Sequence, residues 1–144
     1  MLHKNDIDIL NTICKNSRMA YDSTKQVIGR CRDKELCEYL KSQKNRYAGA
    51  FMTAKRRLED NGSKPRPVPA MQSAMAQIGI AMKTAMNNDR SRIAELMYDG
   101  TNMGIIDIAR SVNHSSHAAP ETISLANDLL SGEEKYADGL RKFL

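Results

Sequence analysis

The stretch from Asp33 to Gly62 constrains the fold of this chain more than any other. Leu36, Leu40, Gln43, Tyr47, Phe51, Ala54 and Leu58 recur every three or four residues, the spacing of one face of an α-helix. Asp33 is placed to cap its start, and Gly62 follows the last apolar turn, so the spacing predicts a helix over residues 33–61. A helix of that length with one apolar stripe needs partner helices of similar length to cover the stripe. One member of the stripe, Gln43, is polar and sits in its middle.

The partners are visible in the periodicity. Residues 5–29 form a first long helix, with Asn5 or Asp6 as its cap and Ile7, Leu10, Ile13, Ser17, Ala20, Tyr21, Thr24, Val27 and Ile28 inward. Ser17 and Thr24 are small enough to let a neighbouring helix come close. Residues 89–113 form a third, with Ile93, Leu96, Met97, Gly100, Met103, Gly104 and Ile108 inward. Residues 120–143 form a fourth, entered through Pro120 and Glu121, which suit the first turn of a helix. Its inward set is Ile123, Ala126, Leu129, Leu130, Glu133, Tyr136, Ala137, Leu140, Phe143 and Leu144.

Between the two halves lies a crossover over residues 62–88. Pro65, Pro67 and Pro69 force an extended backbone, and a shorter Ala- and Met-rich helix follows over residues 70–86. Met71, Met75, Ile78, Met82 and Ala85 share one of its faces and read as packing groups, and Asn87, Asn88 and Asp89 break it. A 17-residue helix spans about 25 Å, and with the extended prolines it can travel the length of a bundle. A short loop would suffice for up-down-up-down order. The predicted order is therefore up, down, long crossover, down, up, with the second and third long helices parallel.

Composition agrees with one all-α domain over residues 1–144. The chain has nine Met, two Phe and no Trp, which suits helices better than sheets. No apolar run approaches the ~18 residues of a membrane span, and acidic residues interrupt the N-terminal MLHKNDIDIL, so no secretory signal is expected. Cys14, Cys31 and Cys37 lack metal or disulfide spacing and read as reduced thiols, pointing to a cytoplasmic protein.

The net charge of +5 is uneven. Residues 1–66 carry fifteen Lys and Arg against eight Asp and Glu, with Lys55, Arg56, Arg57, Lys64 and Arg66 clustered. No aromatic residues are interleaved for base stacking, so a solvated face is favoured over a nucleic-acid surface. His114 and His117, in the loop NHSSHAAP, have no neighbouring carboxylate or thiol to complete a tetrahedral metal set. No Gly-rich phosphate loop, G-x-S-x-G or Ser-His-Asp set is present, which argues against a hydrolase.

With two helical hairpins and a long crossover in place, the chain resembles the ferritin-like superfamily of four-helix bundles. It looks most like a bacterial ferritin-like family of unknown function. The similar segments are AYDSTKQVIGRCRDKELCEYLKSQKNRYAGAF in the first hairpin and RIAELMYDGTNMGIIDIARSV with the final helix in the second. The resemblance implies that Gln43 and the following aromatic Tyr47 match positions where relatives carry Gln and an aromatic. Gly100 matches a small residue, and Thr101 stands where relatives are often acidic. Active ferritin-like proteins hold two irons with a Glu from each of two helices and a Glu-x-x-His from each of the others. This chain has no Glu-x-x-His, and Glu133 alone keeps a carboxylate at a plausible position.

The resemblance thus implies the fold without the di-iron chemistry, no bound cofactor, and a non-enzymatic structural or interaction role. Two alternatives stay open. One is metal or oxidant chemistry with an unusual ligand set from Glu133, Tyr136 and Tyr21; the other is polyanion binding by the basic first hairpin. An unknown protein partner is expected, and the Ala- and Met-rich crossover helix offers a surface for a homodimer.

Counting from the end where the first two helices meet places Gln43, Thr101 and Glu133 at one level, about 16 Å in at ~1.5 Å per residue. Ala20 or Tyr21 joins them from the first helix. The expected layer is Gln43, Thr101, Glu133 and Tyr21, with Tyr136 as a secondary contributor. An unpaired buried carboxylate is costly, so Gln43, Thr101 and a tyrosine hydroxyl are expected to hydrogen-bond Glu133 without metal.

Overall fold

The computed structural model describes residues 2–84 and 90–144 of the chain. Among the described residues five α-helices follow one another: α1 over Lys4–Ile28, α2 over Lys34–Asp60, α3 over Met71–Thr84, α4 over Arg90–Asn113 and α5 over Pro120–Leu140. A 3-10 turn over Arg141–Phe143 ends the chain and buries Phe143. The expected last turn of the crossover helix at Ala85 and Met86, and the break at Asn87, Asn88 and Asp89, lie outside the described residues.

The start of α1 differs from expectation. His3 is the cap, not Asn5 or Asp6: its Nδ1 accepts the Asn5 amide at 3.0 Å, and the Asp6 carboxylate accepts the His3 amide at 3.0 Å. This is a reciprocal capping box, in which the acidic residue belongs one turn inside the helix. The other Asp6 oxygen accepts the Ala119 amide at 2.8 Å, across 113 positions, so the starts of α1 and α5 are tied together. At α2, Asp33 accepts the Leu36 amide at 2.9 Å, and Gly62 takes a positive φ of 78° just past the helix, where a Cβ would be strained.

Long-range contacts fix the helix directions. Thr24 of α1 meets Met97 of α4, and Asn16 meets Asp107, so α1 and α4 run antiparallel. Tyr39, Gln43 and Arg57 of α2 meet Tyr136, Glu133 and Glu121 of α5 in descending order, so that pair is antiparallel too. Since α1 and α2 form a hairpin, α2 and α4 are parallel. The long crossover exists to make that arrangement possible. Its proline-rich entry is pinned to α1 by the Arg66 amide donating to Asn11 Oδ1 at 2.7 Å and the Arg66 guanidinium on Asp8 at 2.9 Å.

The core comes in two blocks. One holds Ile9, Leu10, Ile13, Cys14, Ala54, Leu58, Ile108 and Ala126; the other holds Val27, Leu36, Leu40, Tyr47, Met82, Ile93, Ala94, Met97, Tyr136, Leu140 and Phe143. Ile9 and Ala94 join the core though the sequence stripe omitted them, and the inward set of α4 is corrected at two points. Met103 is 71% exposed and Gly100 is exposed, while Thr101 is buried. One step along a helix turns the side chain by about 100°, so a stripe drawn one residue off exchanges core for surface. Leu144 is also exposed, beyond the turn that buries Phe143. Cys14, Cys31 and Cys37 are free thiols.

Candidate functional site

On α1, α4 and α5 buried polar residues lie between the two core blocks: Ser17 and Thr24, Thr101, and Glu133. On α2 the buried polar residue, Gln43, lies between Leu40 and Tyr47 of one block. The centre of this level is Glu133, 5% exposed. Gln43 Nε2 donates to its Oε1 at 2.9 Å, and the Tyr47 hydroxyl donates to its Oε2 at 3.0 Å. Gln43 and Tyr47 lie one turn apart on α2 and so present both donors to one carboxylate. Burial pushes the Glu133 carboxyl up to about 7, against the lowering effect of the Tyr47 and Gln43 hydrogen bonds. Burial and the nearby Glu133 hold the Tyr47 hydroxyl far above its ordinary range, and burial first, then Glu133, does the same for Tyr136.

Three tyrosine rings pack beside the carboxylate. Tyr47 meets Tyr136 edge-on at 6.2 Å, and Tyr136 stacks on Tyr39 at 5.2 Å. The Tyr39 hydroxyl donates to the Tyr136 carbonyl at 3.0 Å. The Tyr136 hydroxyl, by contrast, is buried with no hydrogen-bond partner, and so is Ser17 Oγ. Such orphaned groups are uncommon in a folded interior.

The residues that carry both orphans, Ser17 and Tyr136, line a cavity of about 870 Å³ together with Glu133, Tyr47, Thr24 and Thr101. It opens between α1, α4 and the crossover, where Ala74, Gln77, Ile78 and Ala81 of α3 form one wall and Gly100, Met103 and Gly104 of α4 another. Small residues on α1 and α4 make this space. Ser17 was expected to let helices close together; here it borders a void instead.

The expected layer needs two corrections. Thr101 does not bond Glu133: its hydroxyl donates to the Met97 carbonyl of its own helix at 2.7 Å, the usual outlet for a threonine within a helix. Tyr21 is outside the cluster. It is half-buried with the Lys44 ammonium 6.0 Å from its ring centre, and its neighbour Ala20 lines the cavity. The hydroxyl on Glu133 comes from Tyr47, which was visible in the α2 stripe one turn after Gln43. Tyr136 contributes its ring, with its hydroxyl unpartnered.

The metal pair that such a fold can carry does not fit these side chains. At the i, i+3 spacing of a Glu-x-x-His the chain has Glu133 and Tyr136 on α5 and Gln43 and Arg46 on α2, so neither pair supplies a carboxylate with an imidazole. Among the described residues no three His, Cys, Asp or Glu come together in a metal-ligating group. His114 and His117 are exposed; His117 uses its backbone amide on Asn5 Oδ1 at 2.9 Å, and its ring lies 5.5 Å from that of His3.

The basic cluster is largely engaged. Lys55 pairs with Glu59 at 3.7 Å, Arg66 with Asp8, and Arg57 donates to the Glu121 carbonyl at 3.1 Å. No described helix is long and apolar enough to cross a membrane.

No protein-family model matches the sequence, and no curated protein matches it. Among solved structures, a mutant of Mycobacterium smegmatis Dps1 is similar in fold, with a TM-score of 0.77 over 99% of this chain and 98% of that one, at 15% sequence identity. At that identity the likeness concerns the fold, which is ferritin-like and all-α.

Proposed function

We propose that this ferritin-like bundle is a non-enzymatic binding or structural module, its mid-level built from hydrogen bonds rather than from an iron pair. The observation that carries this reading is the double engagement of Glu133. Gln43 and Tyr47 supply a donor to each carboxylate oxygen, which satisfies the buried group without a metal, and among the described residues Glu133 belongs to no group of three His, Cys, Asp or Glu. The rest of the level offers hydroxyls of Ser17, Thr24 and Thr101, weak ligands that do not replace carboxylate and imidazole. A cytoplasmic location belongs to the same proposal.

Metal analysis and ferrous-iron oxidation on freshly purified protein test it. Substoichiometric metal and iron oxidation no faster than buffer are expected. A stoichiometric iron pair, or rapid oxidation, would overturn the reading in favour of an atypical ligand set around Glu133 and Tyr136.

A second reading concerns assembly. Ile80 on α3 and Met103 and Ile106 on α4 are large apolar side chains left 55–71% exposed. They support a homodimer through the crossover side of the bundle. Sedimentation at high micromolar concentration is expected to give twice the chain mass, and a monomer there removes the idea. The polyanion reading is weaker, since the first hairpin's cations are drawn into contacts with Glu59, Asp8 and Glu121.

A further inference from the structure

The centre of the bundle combines three features that packing alone does not call for. Glu133 is a buried carboxylate with neutral donors only: among the described residues no Lys, Arg or His forms an ion pair with it. A buried acid left without a counter-charge is costly, and each of its oxygens retains a lone pair beyond the bond it accepts. Next, the Tyr136 hydroxyl and Ser17 Oγ are 3% and 1% exposed at the residue level and have no partner. Finally, Glu133, Tyr136 and Ser17 border the same cavity of about 870 Å³, which is partly open to solvent. That volume lies in the range of small-molecule sites, and its wall is mainly apolar, with Lys15, Asp99, Asp107 and Arg110 as its other charged lining residues beside Glu133.

We propose that this cavity binds a primary amine with an apolar body, its ammonium against Glu133 and its body along the groove toward α3. The inference rests on the reading that no metal occupies the level. Charge sets the choice of head group. An ammonium supplies the missing counter-charge and three donors, for Glu133 and for the orphaned oxygens of Tyr136 and Ser17. Ala20, Leu96, Met97 and Ile108 line the way and suit an alkyl or arylalkyl body. Gln43 and Tyr47 hold the carboxylate in place. A carboxylic acid would have to share a proton with Glu133, and an alcohol would leave the charge uncompensated.

Calorimetric titration of the full chain with n-octylammonium, n-octanol and octanoate tests the proposal. One octylammonium per chain is expected, about tenfold or more tighter than either other probe, the effect of a hydrogen bond to a charged group. Glu133→Gln is expected to abolish that preference. Tyr136→Phe and Ser17→Ala remove orphaned hydroxyls, so both are expected to unfold no more easily than the parent while binding octylammonium several-fold more weakly. Equal affinity for octanol, tighter octanoate, or binding unchanged in both hydroxyl variants would overturn the proposal. A parallel iron titration of the same protein separates the two readings: stoichiometric iron uptake defeats the metal-free one, whereas neither iron nor octylammonium binding defeats this inference alone.

Discussion

The Tyr39 hydroxyl occupies the space that a side chain at Gly139 would need: a Cβ built there overlaps the phenol. The contact lets Tyr39 reach the Tyr136 carbonyl and stack on its ring. Helix propensity alone favours Ala over Gly by about 1 kcal/mol inside α5. Overpacking works the other way, at ~1–3 kcal/mol, and displaces the stack as well. Gly139→Ala is therefore expected to destabilise the protein, read as a lower urea midpoint; a raised midpoint would show that Tyr39 moves aside at no cost.

Tyr47 is the stronger test of the polar cluster. Tyr47→Phe keeps the ring against Tyr136 and removes one donor from a buried carboxylate. A loss of about 1–3 kcal/mol is expected, the penalty for an unsatisfied buried polar group. Titration of Glu133, followed by carboxyl chemical shift, should move further up, because a lowering hydrogen bond has gone. A midpoint unchanged in urea would argue that the carboxylate finds water instead.

The raised Glu133 value carries a sign for stability. The unfolded carboxyl ionises near 4.5, whereas the folded one holds its proton to about 7. The groups facing it are Gln43 and Tyr47 of α2 and Tyr136 of α5; the cavity beside it is lined by the uncharged Ser17 and Thr24 of α1 and Thr101 of α4 and by the charged Lys15 of α1 and Asp99, Asp107 and Arg110 of α4. Its contribution is thus fully present below 4.5 and is lost as pH rises through about 7, by ~3 kcal/mol at most. Glu133→Gln should flatten that fall between pH 5 and 8, measured by urea unfolding at each pH. A slope that survives the substitution would assign it to another group.

Asp6 should behave in the opposite sense. Burial raises its carboxyl, but the Thr122 side chain, the Ala119 and His3 amides and the His3 charge outweigh that and hold it below 3.8. Its contribution is present above that value and disappears as pH falls through the folded one. Asp6→Ala removes the capping box and the tie to the start of α5, a loss of about 2 kcal/mol. Hydrogen exchange should rise at the Ala119 amide in that variant, and protection unchanged there would show that the tie is not formed in solution.

Local periodicity determined where the helices lie, since an apolar stripe depends only on near neighbours along the chain. Of the α2 stripe, Leu36, Leu40, Gln43, Tyr47, Ala54 and Leu58 are buried as the spacing indicates, and Phe51 is half-buried. The prolines and the length of the crossover also carried the order of the helices, because a chain cannot span a bundle with fewer residues. Side-chain pairing was not available in the same way. Tyr21 and Tyr47 look alike on their stripes, and a rotation of ~100° per residue leaves one beside Lys44 and puts the other on Glu133. Asp6 reads as a cap until a segment 113 residues away brings the Ala119 amide to it. The cavity is the furthest from the sequence: it exists because small residues on α1 and α4 face each other under α3, and no one of those helices contains it. Spacing along one helix made the bundle legible, while the rotation and register between helices decided what Glu133 touches and what space lies before it.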